Sequence, residues 1–189
     1  DYAMAVEQLK ARGLLYPCFC SRSDMRRVQQ RSGLEKGPDG PIYPGTCRHL
    51  DAGAAAERME RDPHSWRLDV GKALAITGPL TWDDAQAGKH IADPGALGDV
   101  VLVPKDTPVS YHLAVTLDDG RDGITHVVRG QDLFASTHIH RLLQALLTLP
   151  TPAYVHHPLL RDETGQKLAK SRGSDALQVE RMSGVDGAK

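Results

Sequence analysis

The sequence predicts an α/β fold in which helices pack on a parallel sheet, and three consecutive segments carry this prediction. Residues 124–128 and 153–160 are apolar runs bounded by turn-forming residues, which is typical of buried strands. Between them, apolar residues of the segment 135–149 repeat every three or four positions, and Pro150 follows, as in an amphipathic helix. A strand, a helix and a second strand in succession predict a βαβ crossover, which makes the two strands parallel.

The other elements are predicted in chain order from apolar spacing and from glycine and proline stops. Helices are expected over Tyr2–Arg12 before Gly13, over Ser23–Arg31 with Ser23 as cap and Gly33 as stop, and over Ala52–Arg61 before Pro63. Residues 37–45 are rich in proline and glycine and predict a loop. Short apolar runs predict strands at Trp66–Val70, Leu74–Ile76, Asp99–Val103 and Tyr111–Leu117.

Composition places the chain among ordinary globular proteins. Its 189 residues, 40% hydrophobic and 25% charged, allow one domain or two small ones and exclude a disordered chain. The sequence has no apolar run of about 18 residues, so no membrane partner is expected, and its start lacks the features of a secretory signal. Total charge is −1, yet the segment 10–49 holds eight basic and three acidic residues, and such a patch suits phosphate contacts.

The three cysteines indicate metal ligation or burial. Cys18 and Cys20 are separated by one residue, and an odd count with Cys47 fits a reducing cytoplasm better than a disulfide framework. Zinc prefers four tetrahedral ligands, and both Tyr43 and His49 are near Cys47 in sequence. Imidazole binds zinc more readily than a phenol of pKa about 10, which favours His49. Three unrelated buried thiols are the alternative interpretation.

Three further motifs lie in the second half of the chain. Two lysines in Lys167-Leu168-Ala169-Lys170-Ser171 follow a predicted strand in a polar segment, which suits binding of a polyphosphate. Residues 127–132, Val-Val-Arg-Gly-Gln-Asp, leave a strand with groups suited to a recognition pocket. Residues 111–114, Tyr-His-Leu-Ala, open a predicted strand. Alone, the three motifs are more typical of a solvated loop, a surface turn and a core tyrosine, respectively.

In their order, these motifs resemble the glutamyl-tRNA synthetase group of class I synthetases. Within that group the sequence is similar to the short glutamyl-Q tRNA(Asp) synthetases, which lack an anticodon-binding domain, and the resemblance covers residues 2–180. It implies part of a Rossmann-like nucleotide-binding domain with an inserted zinc-bearing α+β subdomain. Residues 1–16 would end the first Rossmann half, 17–109 would form the insertion, an acceptor-binding-like subdomain, and 110–189 would form the second half with the KLAKS loop.

The resemblance also implies an activity and its residues. Such enzymes activate L-glutamate with ATP and Mg²⁺ and transfer it to queuosine at the wobble position of tRNA(Asp); we expect a cytoplasmic monomer. Tyr111 and Arg129 match the glutamate-binding positions, and Lys170 matches the catalytic lysine of the KMSKS-type ATP signature. Cys18, Cys20, Tyr43 and Cys47 match the zinc positions. Full-length glutamyl enzymes place a histidine just after the third cysteine, as His49 is here, so the fourth ligand stays open.

The sequence also departs from the family pattern. It contains no HIGH-type motif near its start and no Arg-Phe-Ala-Pro-Ser segment, and His138-Ile139-His140 lies on a predicted helix in the wrong place. We therefore expect a fragment that lacks the part of the first Rossmann half bearing the HIGH motif, and its activity in isolation stays open. Two alternatives stand beside this interpretation: a discriminating glutamyl-tRNA synthetase that charges tRNA(Glu), and a non-catalytic, zinc-bearing RNA-binding module.

Overall fold

The computed structural model describes residues 2–32, 36–38, 40–161 and 182. Its first sheet has three antiparallel strands in the order β1-β4-β7. These strands are Leu15–Cys18 (β1), Ser65–Leu68 (β4) and Val101–Val103 (β7). A two-stranded ladder of Lys36–Gly37 (β2) and Gly40–Pro41 (β3) lies between β1 and β4 in the chain.

The second sheet has four strands in the order β6-β5-β9-β8. They are Thr81–Asp84 (β5), Gly88–Ile91 (β6), His126–Gly130 (β8) and Ala153–His157 (β9). Strand β9 runs parallel to β8, which confirms the predicted pairing, and also to β5, which was not predicted. Strand β5, from the predicted insertion, therefore shares a sheet with β8 and β9 of the predicted second Rossmann half.

Six α-helices accompany these sheets within the described residues. They are Tyr2–Ala11 (α1), Arg22–Ser32 (α2), Ala52–Arg61 (α3), Val70–Thr77 (α4), Tyr111–Arg121 (α5) and Ser136–Leu147 (α6). Helix α6 supplies the centre of the core, where Ile139, Leu142 and Leu143 are fully buried together with Leu9 of α1 and Leu113 of α5. Burial of such side chains contributes about 1.5–3 kcal/mol each to folding. None of the described helices combines the length and apolarity that crossing a membrane requires.

Two predicted strands are wrong, because both segments are helical. Residues 111–117 belong to α5, whose first turn is capped by Ser110 as it accepts the Leu113 N–H. Residues 74–76 belong to α4, which begins after the cap Asp69 and ends at Gly78, whose φ is 64°. Short apolar runs do not distinguish a strand from a buried helix segment, and here the polar caps decide for the helix.

Two further differences concern polar segments. Helix α2 begins at Arg22 rather than Ser23, and Ser21 rather than Ser23 accepts the N–H of Asp24. The β5–β6 hairpin was not predicted, since only Trp82 and Asp84 of β5 are buried and its other residues are polar and exposed. The predicted stop at Gly33 lies outside the described residues.

Candidate functional site

The structure brings the three cysteines together at the end of β1. The Sγ atoms of Cys18, Cys20 and Cys47 all lie within 4.8 Å of one another, and those of Cys20 and Cys47 are 3.7 Å apart. Tyr43 lies in the same buried group, with its Oη 3.4 Å from the Cys18 Sγ and 3.6 Å from the Cys20 Sγ. We call these four residues the thiol cluster.

Tyr43 and His49 differ sharply in their positions. The Tyr43 side chain is buried, and its Oη accepts the backbone N–H of Cys47 at 2.9 Å. Burial, and then hydrogen bonds with the three thiols, raise the pKa of the Tyr43 phenol. His49 is exposed and lies outside the group of converging ligand atoms. The arrangement therefore supports Tyr43, the residue that the resemblance indicates, as the fourth donor.

The donor set of the thiol cluster fits zinc. Thiolates are preferred zinc ligands, and oxygen ligands complete many four-coordinate sites. The four donors come from two segments, 18–20 and 43–47. Cys18 is the last residue of β1, and the other three donors lie outside helices and strands. A bound Zn²⁺ would cross-link these loops, which is the role of a structural metal.

The cation Arg67 of β4 lies against the thiol cluster. Its guanidinium carbon lies 3.9 Å from the centre of the Tyr43 ring. Burial opposes ionisation of Cys18, but hydrogen bonds with Tyr43 and Arg67 outweigh it and lower the pKa of the Cys18 thiol. Arg67 thus places positive charge beside donors that become anionic when they bind a metal.

The loop that carries Cys47 is fixed to the core through the buried carboxylate of Asp99. Asp99 accepts hydrogen bonds from the Tyr16 hydroxyl at 2.5 Å, from Arg48 Nε at 2.7 Å and from the Val70 N–H at 3.0 Å. Arg48 follows Cys47 directly, so this ion pair holds the residue next to Cys47 in place. Burial, and then the hydrogen bond to Asp99, raise the pKa of the Tyr16 phenol.

A second buried polar group lies where strands β5, β8 and β9 meet α6. The Arg129 guanidinium donates from Nε to His156 Nε2 at 3.0 Å and from Nη2 to Thr137 Oγ1 at 2.5 Å, and its Nη1 lies 3.1 Å from His140 Nδ1. His156 Nδ1 in turn lies 2.7 Å from Asp84 Oδ2. We call Asp84, Arg129, Thr137, His140 and His156 the arginine cluster; all five are buried.

Electrostatics make Arg129 the cation of this cluster. Burial, and then the charge of Arg129, hold the pKa of His140 well below its ordinary value. Burial also lowers the pKa of His156, although Asp84 opposes the shift, so both imidazoles are neutral near pH 7. Within the described residues, no carboxylate oxygen lies within 4.0 Å of the Arg129 guanidinium. A buried cation without a direct anionic partner is suited to bind an acidic ligand.

Tyr111, the other predicted glutamate-binding residue, lies near the edge of the arginine cluster. It begins α5, is 50% exposed, and its ring centre is 5.8 Å from that of His140. His112 Nδ1 lies 3.1 Å from His140 Nε2, which links the start of α5 to the cluster. The structure thus brings Tyr111 and Arg129 to one region through α6. The predicted ATP-binding motif, residues 167–171 with Lys170, lies outside the described residues.

Sequence reasoning missed four members of the arginine cluster. The sequence does carry a signal for His156, since it lies near the end of a predicted strand that is followed by Pro158. In the structure, the parallel register of β8 and β9 places His156 directly opposite Arg129. His156 and His157 do point to opposite faces, as predicted: the first is buried and the second exposed. Asp84 offered no such signal, since it is separated from His156 by 72 residues.

Comparison with known proteins places this geometry in context. Residues 1–188 match the family described as tRNA synthetases class I (E and Q), catalytic domain. The glutamyl-Q tRNA(Asp) synthetase of Rhodobacter capsulatus is 42% identical over 99% of this chain and 69% of its own length. That of Albidiferax ferrireducens is 38% identical over 94% of this chain and 62% of its own length.

A solved structure agrees with this match. The crystal structure of glutamate-tRNA synthetase from Elizabethkingia anophelis superimposes with a TM-score of 0.71 at 25% identity, covering 91% of this chain and 35% of that one. The chain therefore spans 62–69% of the two curated relatives and about a third of the solved enzyme. Its α/β fold with a parallel sheet is that of the class I catalytic domain, as predicted.

Proposed function

The chain belongs to the family of class I tRNA synthetase (E and Q) catalytic domains, and from that premise we propose that it serves a glutamyl-Q tRNA(Asp) synthetase. The observation that carries this proposal is Arg129, a buried guanidinium without a direct carboxylate partner among the described residues. The names of the 42% and 38% identical relatives support the same activity. ATP, with Mg²⁺, and L-glutamate are the proposed substrates of the first step.

In that step a glutamate carboxylate attacks the α-phosphate of ATP, which forms glutamyl-adenylate and releases pyrophosphate. Arg129 would bind a carboxylate of glutamate, and Tyr111, at the edge of the arginine cluster, would donate a hydrogen bond to the same substrate. Lys170, with Lys167 in the same motif, would stabilise the charge that develops on the phosphates. None of these side chains is a nucleophile, so catalysis would rest on positioning and on charge stabilisation.

Zinc would have a structural role in this enzyme. Cys18, Cys20, Tyr43 and Cys47 would hold it, and the ion would supply a fixed cross-link rather than chemistry on the substrate. The domain division at residues 16 and 109 belongs to the same proposal. The thiol cluster lies wholly within 17–109, whereas β5 of that segment pairs with β9 of the segment 110–189.

The RNA partner would contact the basic residues around the thiol cluster. Arg22, Arg26 and Arg27 of α2 are exposed, and Arg22 and Arg26 line a groove together with Arg67 and Lys105. Guanidinium and ammonium groups along a groove suit phosphate contacts of the anticodon stem, while glutamate would be transferred to the queuosine ring. A monomeric, cytoplasmic enzyme completes the proposal.

The direct test uses the polypeptide as its gene encodes it, with labelled glutamate, ATP and tRNA(Asp). Label is expected on tRNA(Asp) that carries queuosine and not on the same tRNA without queuosine. R129A should remove the labelling, whereas H49A, at an exposed residue, should keep it. Charging of tRNA(Glu) instead would overturn the queuosine substrate in favour of a discriminating glutamyl-tRNA synthetase. Absence of any glutamate-dependent reaction, with RNA binding kept, would favour the non-catalytic module.

A further inference from the structure

We propose that Asp84 and His156 form a positioning pair that fixes the guanidinium of Arg129 for the carboxylate of the substrate. The inference rests on the proposed function and deepens it, because it assigns roles to two buried residues of neighbouring strands. Asp84 ends β5, His156 lies on β9, and Arg129 lies on β8. The parallel register sets Arg129 opposite His156, and Asp84 pairs with Tyr154, two residues before His156. The sheet itself therefore aligns the three side chains.

The chemistry of Arg129 determines the donor and the acceptor of each hydrogen bond in the series Arg129–His156–Asp84. A guanidinium only donates, so the Arg129 Nε–H must meet a lone pair on His156 Nε2, 3.0 Å away. The neutral ring then carries its proton on Nδ1 and donates it to Asp84 Oδ2 at 2.7 Å. Asp84 is anionic: burial opposes this, but the hydrogen bond with His156 outweighs it and lowers the pKa of the carboxyl.

The carboxylate of Asp84 is itself fixed from three sides. Its Oδ1 accepts the backbone N–H groups of Gln86 and Ala87, both at 2.9 Å, and its Oδ2 accepts the backbone N–H of His156 at 3.2 Å. The rings of Trp82 and Tyr154 flank His156, with centre distances of 5.9 Å each, and both aromatic side chains are 1% exposed. A buried carboxylate held by this many donors has one orientation, and its hydrogen bond with His156 therefore fixes the orientation of the imidazole ring.

This arrangement leaves part of Arg129 free for a ligand. A guanidinium has five N–H groups, of which one on Nε, one on Nη1 and one on Nη2 are used by His156, His140 and Thr137. Two N–H groups remain without a partner among the described residues, and two is the number that a bidentate carboxylate requires. A carboxylate directly on Arg129 would compete with the substrate, whereas Asp84 supplies its charge through a neutral imidazole and occupies none of these donors.

The first test compares D84N with D83N. The D84N change keeps the size of the side chain, but the amide N–H₂ that it introduces faces His156 Nδ1 and favours the tautomer with the proton on Nε2, which repels the Arg129 Nε–H. We expect glutamate affinity to fall about 10- to 100-fold, the range found for outer partners of ligating histidines, while KM for ATP and kcat at saturating glutamate change less than about threefold. D83N makes the same charge change at the exposed neighbouring residue and should leave all three values unchanged.

A second pair of variants separates the two ends of the imidazole. In H156Q the longer side chain keeps an acceptor near Arg129 but loses the contact with Asp84. In H156N the shorter side chain keeps the contact with Asp84 but loses the acceptor. If the pair positions Arg129, H156N should weaken glutamate binding more than H156Q does. Similar losses of glutamate affinity in both, with equal losses of thermal stability, would instead indicate a purely structural histidine.

Nitrogen-15 NMR measures the tautomer of His156 and the exchange of the Arg129 Nε–H in the absence of substrate. The wild type should show His156 with its proton on Nδ1 and a slowly exchanging Arg129 Nε–H; D84N should move the proton to Nε2 and make the Arg129 signal exchange faster. A wild-type proton on Nε2, or a D84N protein that binds glutamate as tightly as the wild type, would overturn the positioning pair alone. A wild-type enzyme that neither binds glutamate nor exchanges pyrophosphate would overturn the proposed function, whatever the ring nitrogens show.

Discussion

The thiol cluster and the arginine cluster are both buried and polar, but they are incomplete in opposite ways. The thiol cluster gathers three thiols and a phenol, groups that become anionic as ligands, around a position suited to a cation. The arginine cluster surrounds one cation with neutral acceptors. Its carboxylate, Asp84, contacts His156 and reaches Arg129 only through that histidine. One region is therefore suited to a metal ion and the other to an acidic substrate.

The two regions also differ in what holds them. The donors of the thiol cluster lie on loops and at the end of β1, so a bound metal would have to fix their geometry. The arginine cluster is fixed by three strands of one sheet and by α6, so its geometry exists before any ligand binds. We therefore expect zinc to act chiefly on stability, whereas the substrate should bind at a preorganised site.

The largest expected effect concerns the metal. In C47S the zinc content should fall from about one ion per chain to near zero, because a hydroxyl is a far poorer zinc ligand than a thiolate. Metal analysis of the purified proteins and thermal unfolding check this, and both zinc content and Tm should decrease. Zinc content equal to that of the wild type would contradict the metal site, since the thiol cluster would then be a group of inert buried thiols.

The next prediction concerns the two cations assigned to the reaction. K170A should lower the rate of glutamate-dependent pyrophosphate exchange about 10²- to 10³-fold, with less effect on apparent glutamate affinity. R129A should chiefly weaken glutamate binding, by about 2–5 kcal/mol, because the substrate carboxylate loses its partner. Zinc content should stay at the wild-type value in both variants. Equal effects on glutamate affinity would contradict the separate roles.

A smaller effect distinguishes the two candidates for the fourth zinc donor. Y43F removes the buried oxygen near the thiols and should weaken zinc binding at least about tenfold, or ~1.4 kcal/mol, as measured by competition with a chelator. H49A, the matched control at an exposed residue, should bind zinc as the wild type does. The opposite result, a silent Y43F and a zinc-deficient H49A, would keep the metal site but change its fourth ligand.

The smallest effect is a pH dependence of stability in the arginine cluster. The pKa of His140 is lower in the folded protein than in the unfolded chain, so the unfolded chain binds more protons as the pH falls below about 6.5. Stability should therefore be full above that pH and should decrease from pH 6.5 to 5, by up to about 1.4 kcal/mol per pH unit for one such group.

Urea unfolding at saturating zinc checks this pH dependence. H140Q, which cannot be protonated, should show a shallower slope than the wild type over the same range. Arg129, His112 and His156 face His140, and burial also lowers the pKa of His156, so the slope that remains in H140Q includes the contribution of His156. Identical slopes in the wild type and H140Q would show that His140 does not contribute to the pH dependence.

Local signals allowed part of this structure to be predicted. Apolar spacing located α6 and the flanking parallel strands, and cysteine spacing located three donors of the thiol cluster. Residues 111–117 misled, because aromatic and β-branched residues favour strands while the deciding cap, Ser110, lies just outside the run. Asp84 could not be found, since a charged residue in a four-residue strand gains its meaning only from a partner 72 positions away. Sequence indicates which residues carry chemistry, but the supporting partners come from strand register.

The Asp99 carboxylate has a consequence for the order of folding. Its partners Tyr16, Arg48 and Val70 lie 83, 51 and 29 positions away, so each contact closes a long stretch of chain. Closing such stretches costs entropy before the contact returns any free energy, and interactions of long sequence separation form late as a result. We therefore expect the loop bearing Cys47 to dock late in folding, which makes metal capture a late step in acquiring the native state.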